Sequence, residues 1–266
     1  MSELKRHLKA YSVFFKGFIK SKLIYKTDFA LGMVHQLVSI GLSLGFIGLI
    51  FTQVDSIQGW TLSEMLFLTG FARLVYNTHS FFLFGVYSLG EFHIVNGSLD
   101  RYKVRPLNVL FQVYSNYVQI HAIADIVVSL GIIAYTLPKL SVNVFTPSGI
   151  LYGLMALLSS ILAYAGIFLF IGSTGFWTGR TESLFGIFFE VNQFRKYPIE
   201  IFSASLQFLF TAILPIAAAS FYPVEYLLGR GTYLTGYSVL LAGPVFFLAS
   251  YSFFKYGLKN YSSTGS

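Results

Sequence analysis

An all-α polytopic membrane protein with six transmembrane helices is the fold this sequence predicts, and three observations carry the prediction. Charged residues make up 11% of the chain against 55% apolar ones, whereas a soluble domain has about 25% charged residues with which to cover its surface. The charges are clustered, leaving apolar runs of about 20 residues, long enough to cross a hydrocarbon core as helices. Lys and Arg gather in alternate connecting segments, the asymmetry that orients membrane helices. Six spans and their short loops use up the 266 residues, so no soluble catalytic domain is expected among them. The sequence contains no cysteine, which excludes disulfides and thiolate metal sites.

Residues 3–26 predict a helix lying in the membrane interface. Leu4, Leu8, Tyr11, Phe15 and Phe18 share one helical face, with Lys5, Lys9, Lys16 and Lys20 opposite, so an apolar side meets the acyl boundary and lysines reach anionic headgroups. A basic disordered tail is the alternative, and the aromatic stripe speaks against it. No short apolar core followed by a small-residue cleavage site appears here, so no cleavable signal peptide is expected. The first span is expected over 28–51, where Gly41 and Gly45 form a Gly-xxx-Gly step that admits a close helix neighbour. Trp60 is expected as an interface anchor. The second span is placed at 62–89, the third at 109–136 and the fourth at 148–178, rich in small residues. A polar segment, 90–108, separates the second and third spans, and another, 179–203, follows the fourth. The fifth span, 204–222, meets Pro215 early; residues 215–231, with Pro215, Tyr222 and Pro223, are too polar and broken for a clean span. They predict a short re-entrant helical segment before the sixth span, 232–254.

Counting Lys and Arg along this scheme puts fifteen on one side and Lys139 and Arg230 on the other, with Arg73 inside a span. Both termini are therefore expected in the cytoplasm, with an even number of spans. The net charge of +7 is assigned by its location to headgroups and not to nucleic acid.

Arg73 and Asp125 are the intramembrane charges of interest. Each lies eleven residues from the same end of consecutive antiparallel spans, so the two share a depth and are expected to pair or to face a polar cavity. A substrate or gating contact and a structural ion pair are both open readings, the second being the plainer. His121 and Asp125 stand at i, i+4, but two ligands without a third are a weak metal motif, and no metal site is expected. No catalytic constellation or phosphate-binding G-x-x-x-x-G-K-[ST] sequence occurs. The chain itself is thus expected to bind no cofactor and catalyse no reaction. Between Gly97 and Pro106, Leu99, Tyr102 and Val104 alternate with Asp100, Arg101, Lys103 and Arg105. Such a short amphipathic element is suited either to a groove on a soluble partner or to the headgroup layer.

Two stretches, GSLDRYKVRPLN (Gly97 to Asn108) and YPIEIFSASLQFLFTAILPIAAASFYPVEYLLG (Tyr197 to Gly229), give the chain a resemblance to the permease subunits of ABC-2 type exporters. The second is the more specific, through Tyr197-Pro198, Pro215 and Tyr222-Pro223; Ser203 departs from the proline relatives tend to carry there. The resemblance extends over essentially the whole chain. It implies a second permease, identical or related, and two separate ATP-binding cassette subunits carrying ATP and Mg²⁺. It also implies that Leu99, Asp100, Arg101, Tyr102, Arg105 and Pro106 couple to the ATPase, and that residues 215–231 cap the pathway from outside. The first and fifth spans would line the dimer interface and the route. Location in the cytoplasmic membrane of a prokaryote and outward movement follow from the same likeness, while the aromatic, mostly apolar composition of the spans points to an amphipathic or lipid-like cargo. The inner loops lack the importer signature E-A-A-x-x-x-G. The competing reading is an ion-gradient-driven transporter with Arg73 and Asp125 as its relay, which the lack of a convincing internal repeat disfavours.

Overall fold

The computed structural model describes Tyr11, Gly17, residues 26–140 and residues 146–262. The expected interfacial helix, 3–26, lies almost entirely outside that set. The described residues form ten α-helices joined by short 3₁₀ and π segments, without a β-strand among them. α1 is Lys26–Ile50, α2 Leu62–Leu83, α3 Leu99–Lys103, α4 Val109–Ser115 and α5 Ala122–Thr136. α6 is Pro147–Thr178, α7 Glu182–Asn192, α8 Ala204–Phe208, α9 Ile216–Leu227 and α10 Tyr233–Asn260.

Local chemistry sets many of these boundaries. Glu64 accepts from the Thr61 backbone N–H at 2.8 Å at the start of α2, Asn108 accepts from Phe111 N–H at 3.1 Å for α4, and Thr146 accepts from Gly149 N–H at 3.1 Å for α6. Each fills one of the donor positions a helix leaves open at its first turn. α6 stops at Gly179, whose φ of +72° suits a residue without a Cβ.

Ala30–Ile50, Ala122–Lys139, Pro147–Thr178 and Tyr233–Asn260 are long and apolar enough to cross a bilayer, and Ala204–Ile213 with Ile216–Leu227 makes a fifth candidate if the bent pair counts as one span. α2 falls short of that composition because Glu64, Arg73, Asn77 and His79 interrupt it. Its face is spent on protein contacts: Arg73, Asn77 and His79 are all buried.

The strongest packing joins α6 to α10. Ser159 donates to the Val239 carbonyl at 2.7 Å and accepts from Gly243 N–H at 3.2 Å. A Cβ at Gly243 would run into the Ser159 carbonyl, one at Gly166 into Phe246 and Phe247, and one at Gly257 into Phe176. Glycine thus brings the two backbones together along this seam, where dispersion and hydrogen bonding drive association in lipid. Gly41 and Gly45 of α1 behave differently: nothing lies within 4 Å of a Cβ built on either. Among the described side chains of α1 only Ile40 and Ile47 are buried, while Leu31, Leu42 and Leu49 are each at least 65% exposed.

Trp60 is core and not an interface anchor. It is 1% exposed, with its ring 5.5 Å from that of Phe221 and the Arg230 guanidinium 5.0 Å over its face. Arg230 also pairs with Glu64 at 2.8 Å and donates to the Gly59 carbonyl at 2.7 Å, tying the start of α2 to the turn after α9.

The second polar segment, expected as a loop over 179–203, contains a helix. α7 turns back along α6, with Phe185, Phe188 and Asn192 buried; the Tyr164 hydroxyl donates to Asn192 at 2.8 Å, and Phe168 lies 5.2 Å from Phe185. Eleven helical residues carry the chain about 16 Å, so Arg195 and Lys196 leave the basic end and enter the packed body. Two cations come out of the side-to-side count without changing its sign. The span expected at 204–222 is also not one rod. α8 continues as a π segment, Leu209–Ile213, then bends by 100° into α9. Pro215 has no N–H to continue the ladder, and the Tyr222 hydroxyl ties the bend to Thr211 at 3.1 Å.

Candidate functional site

Two regions concentrate polar chemistry, one at the basic end and one inside the bundle.

At the basic end, Gly97 turns the chain at φ +66° and α3 follows. Leu99 is fully buried in a small core with Val86, Leu89, Val113 and Leu169. Gln112 donates to the Tyr102 and Leu107 carbonyls at 2.9 and 3.0 Å, pinning both ends of the segment to α4. Ser98 gives its one hydroxyl proton to the Phe92 carbonyl at 2.9 Å, so His93 must donate from Nδ1 to reach the same oxygen at 2.8 Å. Burial, with Arg101 adding to it, pushes the His93 imidazole down to about 4, so it stays neutral. Anchored from beneath, the segment turns Arg101, Lys103, Arg105 and Pro106 outward, with Asp100 and Tyr102 half-buried. Arg105 lies 5.7 Å from the Tyr102 ring. Val104 is 84% exposed, an apolar tip among cations.

Glu91 links this segment to the next one. Its carboxylate accepts from the Thr181 and Glu182 backbone N–H groups at 2.5 and 2.6 Å, at the positive end of α7. Burial would raise the Glu91 pKa, but the Thr181 and Glu182 hydrogen bonds outweigh it and hold the group below the usual glutamate range.

Inside the bundle, Arg73 of α2 donates to Asp125 of α5, and Gln36 of α1 donates to the other Asp125 oxygen. Asp125 is fully buried. The three helices therefore meet on one carboxylate, beside a cavity of about 340 Å³. Its walls include Gln36 and Ser39 of α1, Asn77 of α2, and Asn192 and Arg195 from the far side. Arg195 stacks 4.6 Å over the Tyr76 ring and donates to the Asn192 carbonyl at 2.8 Å. Lys196 donates to Ser43 of α1 at 3.1 Å. The His121 ring lies against Gly32 of α1, and no cluster of three metal-binding side chains occurs among the described residues.

Arg73 and Asp125 were legible as a pair of equal depth; Gln36, Arg195 and Lys196 as their neighbours were not. One signal was available: Thr181, Phe185, Phe188 and Asn192 fall at i, i+4, i+7 and i+11, the stripe of a helix with a buried face. Pro215, Tyr222 and Pro223 lie together at the opposite end, in and beside the bend.

A family model described as ABC-2 family transporter protein matches residues 37–265. No curated protein matches the chain.

Proposed function

This chain belongs to the ABC-2 family of transporter proteins, a multi-pass membrane permease of an ABC transporter, and from that premise we propose that it forms half of an exporter's transmembrane pathway. In this reading the chain crosses the bilayer six times, α7 through Ile213 serving as a broken fifth pass. The end bearing α3 faces the cytoplasm, as the excess of cations there supports. Two copies, or this chain and a related permease, pair through the open Gly41–Gly45 face of α1. Two separate ATP-binding subunits, which bind the ATP and Mg²⁺, sit beneath. Closure of the ATPases moves α3 as a rigid unit, and the packed helices pass that movement on as a shift of one half against the other. The α9 bend caps the route, and an amphipathic or lipid-like cargo leaves outward.

The observation that carries this reading is α3 itself, a five-residue helix too short to be stable alone. It is held by Leu99 and Gln112 with its cations and Val104 outward. A rigid lever with a charged, apolar-tipped surface is what a soluble ATPase needs to grip.

Three measurements test it. The permease should co-purify with an ATPase in mild detergent and alter its turnover; no association sinks the reading. Asp100→Ala with Arg101→Ala should leave insertion and basal ATP hydrolysis intact while abolishing transport, and wild-type transport in that double variant removes α3 from the coupling role. Because the chain has no cysteine, single cysteines placed at Arg101 and Gly229 report which side each end occupies.

A further inference from the structure

The cavity beside Arg73 and Asp125 holds more positive charge than its carboxylate neutralises. Asp125 is engaged by Arg73 and Gln36. Arg195 lines the cavity from the broken fifth pass; Lys196, next to it in the chain, stands just outside the lining on Ser43 of α1, and both lie near enough to Arg73 for mutual repulsion. Among the described residues neither has a carboxylate within ion-pair distance. Arg195 also keeps its Nε buried without a hydrogen-bond partner. Unpaired cations at membrane depth are costly, and where they occur they mark ligand and ion paths.

The surroundings restrict what completes that charge. Gln36, Asn77, Gln119, Asn192 and Gln193 contribute amide groups to the wall, and Tyr76, Phe84 and Phe189 add aromatic surface. About 340 Å³ is near the lower limit for small-molecule pockets, room for a headgroup and not for a whole amphiphile. α1, which supplies one wall, is apolar and open over most of its remaining surface, a track on which an acyl chain can lie.

We propose that this cavity is a subsite for the anionic group of an amphiphile, a carboxylate or phosphate whose charge answers Arg195 in the wall, with Lys196 adding to the positive field from beside it, while its tail runs along α1. The proposal rests on the permease reading only where it identifies the bound molecule as cargo.

The test uses the full-length chain in neutral detergent, titrated with a fluorescent fatty acid and with the methyl ester of the same probe. The acid binds the more tightly; Arg195→Gln weakens acid binding roughly tenfold or more, Lys196→Gln weakens it by less, and both leave the ester unchanged. Arg195→Lys, which keeps the charge, retains the preference for acid, and Lys259→Gln, at an exposed lysine near the end of α10, changes neither probe. Equal affinity for acid and ester overturns the proposal, as does wild-type acid binding in the Arg195→Gln, Lys196→Gln double variant. Short-chain phosphatidylglycerol displaces the acid and inorganic phosphate at equal concentration does not; equal displacement by phosphate overturns the amphiphile. Anionic phospholipid co-extracted with the wild type and lost from the double variant identifies a resident lipid as the source, whereas ATP-driven movement of the probe identifies cargo, and either supports the subsite. The titration needs no ATPase, so failed ATPase association ends the permease reading and leaves this result standing.

Discussion

Asp125→Asn is the most informative single change. It removes a buried carboxylate and leaves its Arg73 partner, whose side chain is 9% exposed, facing the Arg195 cation that already repels it. Asparagine has one accepting oxygen where aspartate has two, so with its oxygen on Gln36 it presents an NH2 to the guanidinium, and Arg73 loses the charge and the hydrogen bond together. Breaking a buried pair by removing one partner costs about 3–5 kcal/mol. At about 2–4 °C per kcal/mol for a chain of roughly this size, the melting temperature should fall on the order of 10 °C. Replacing both partners with apolar residues of similar volume, Arg73→Met with Asp125→Leu, removes the stranded charge and should restore most of the loss. The assay is thermal unfolding of the detergent-solubilised chain, followed by tryptophan fluorescence and by the loss of a monodisperse elution peak. An Asp125→Asn variant that melts with the wild type, or a double variant as unstable as the single one, refutes the reasoning, because either result means that no stranded charge is being created.

Other expectations follow from the same coordinates. Gly243→Val drives a side chain into the Ser159 backbone, which cannot rotate away; a loss of at least about 1–3 kcal/mol should show as poor recovery of folded protein, whereas Gly41→Ala, which meets open space, should elute like the wild type. His93 titrates near 6.5 when unfolded and about 4 when folded, so between those values the unfolded chain binds more protons and stability falls as the pH falls. Exchanging His93 for asparagine should flatten that part of a melting-temperature profile between pH 4 and 6.5, and an unchanged slope means the imidazole is not buried neutral. Glu91 is likewise held low when folded, so its contribution is present above the ordinary glutamate range and disappears as acid protonates it; Glu91→Gln should weaken the chain at neutral pH and converge with the wild type in strong acid.

How much was legible in the chain is clearest from contrasting residues. The α6 boundary was readable to within a residue because Thr146, Pro147 and Gly179 act on the backbone locally, whatever surrounds them. Arg73 and Asp125 were readable as partners because two helices of regular rise place equal offsets at equal depth. Arg195 and Lys196 were misplaced because a polar, charged stretch reads as a solvated loop until its neighbours are known. Trp60 was misplaced for the converse reason: indole suits an interface and a packed core equally, and Phe221 and Arg230, which decide the matter, are more than 160 positions away. The open face of α1 and the closed seam of α6 and α10 both carry glycine, and only their partners distinguish them.

By itself the sequence determined that this is a helical membrane protein, where several of its long apolar helices begin, and that one end is basic. Those properties depend on composition, local backbone chemistry and the cost of moving charge through hydrocarbon, none of which needs a distant contact. The sequence did not show that the span expected at 109–136 is broken between Ser115 and Ala122 or that the last helix runs on to Asn260. Tertiary structure alone decided that α7 folds back into the bundle, that three helices converge on Asp125, and that Arg195 stands in the same cavity without a carboxylate within ion-pair distance. Whether a polar side chain faces water, lipid or a buried partner depends on which helices lie beside it, and residues far apart in the chain settle that together.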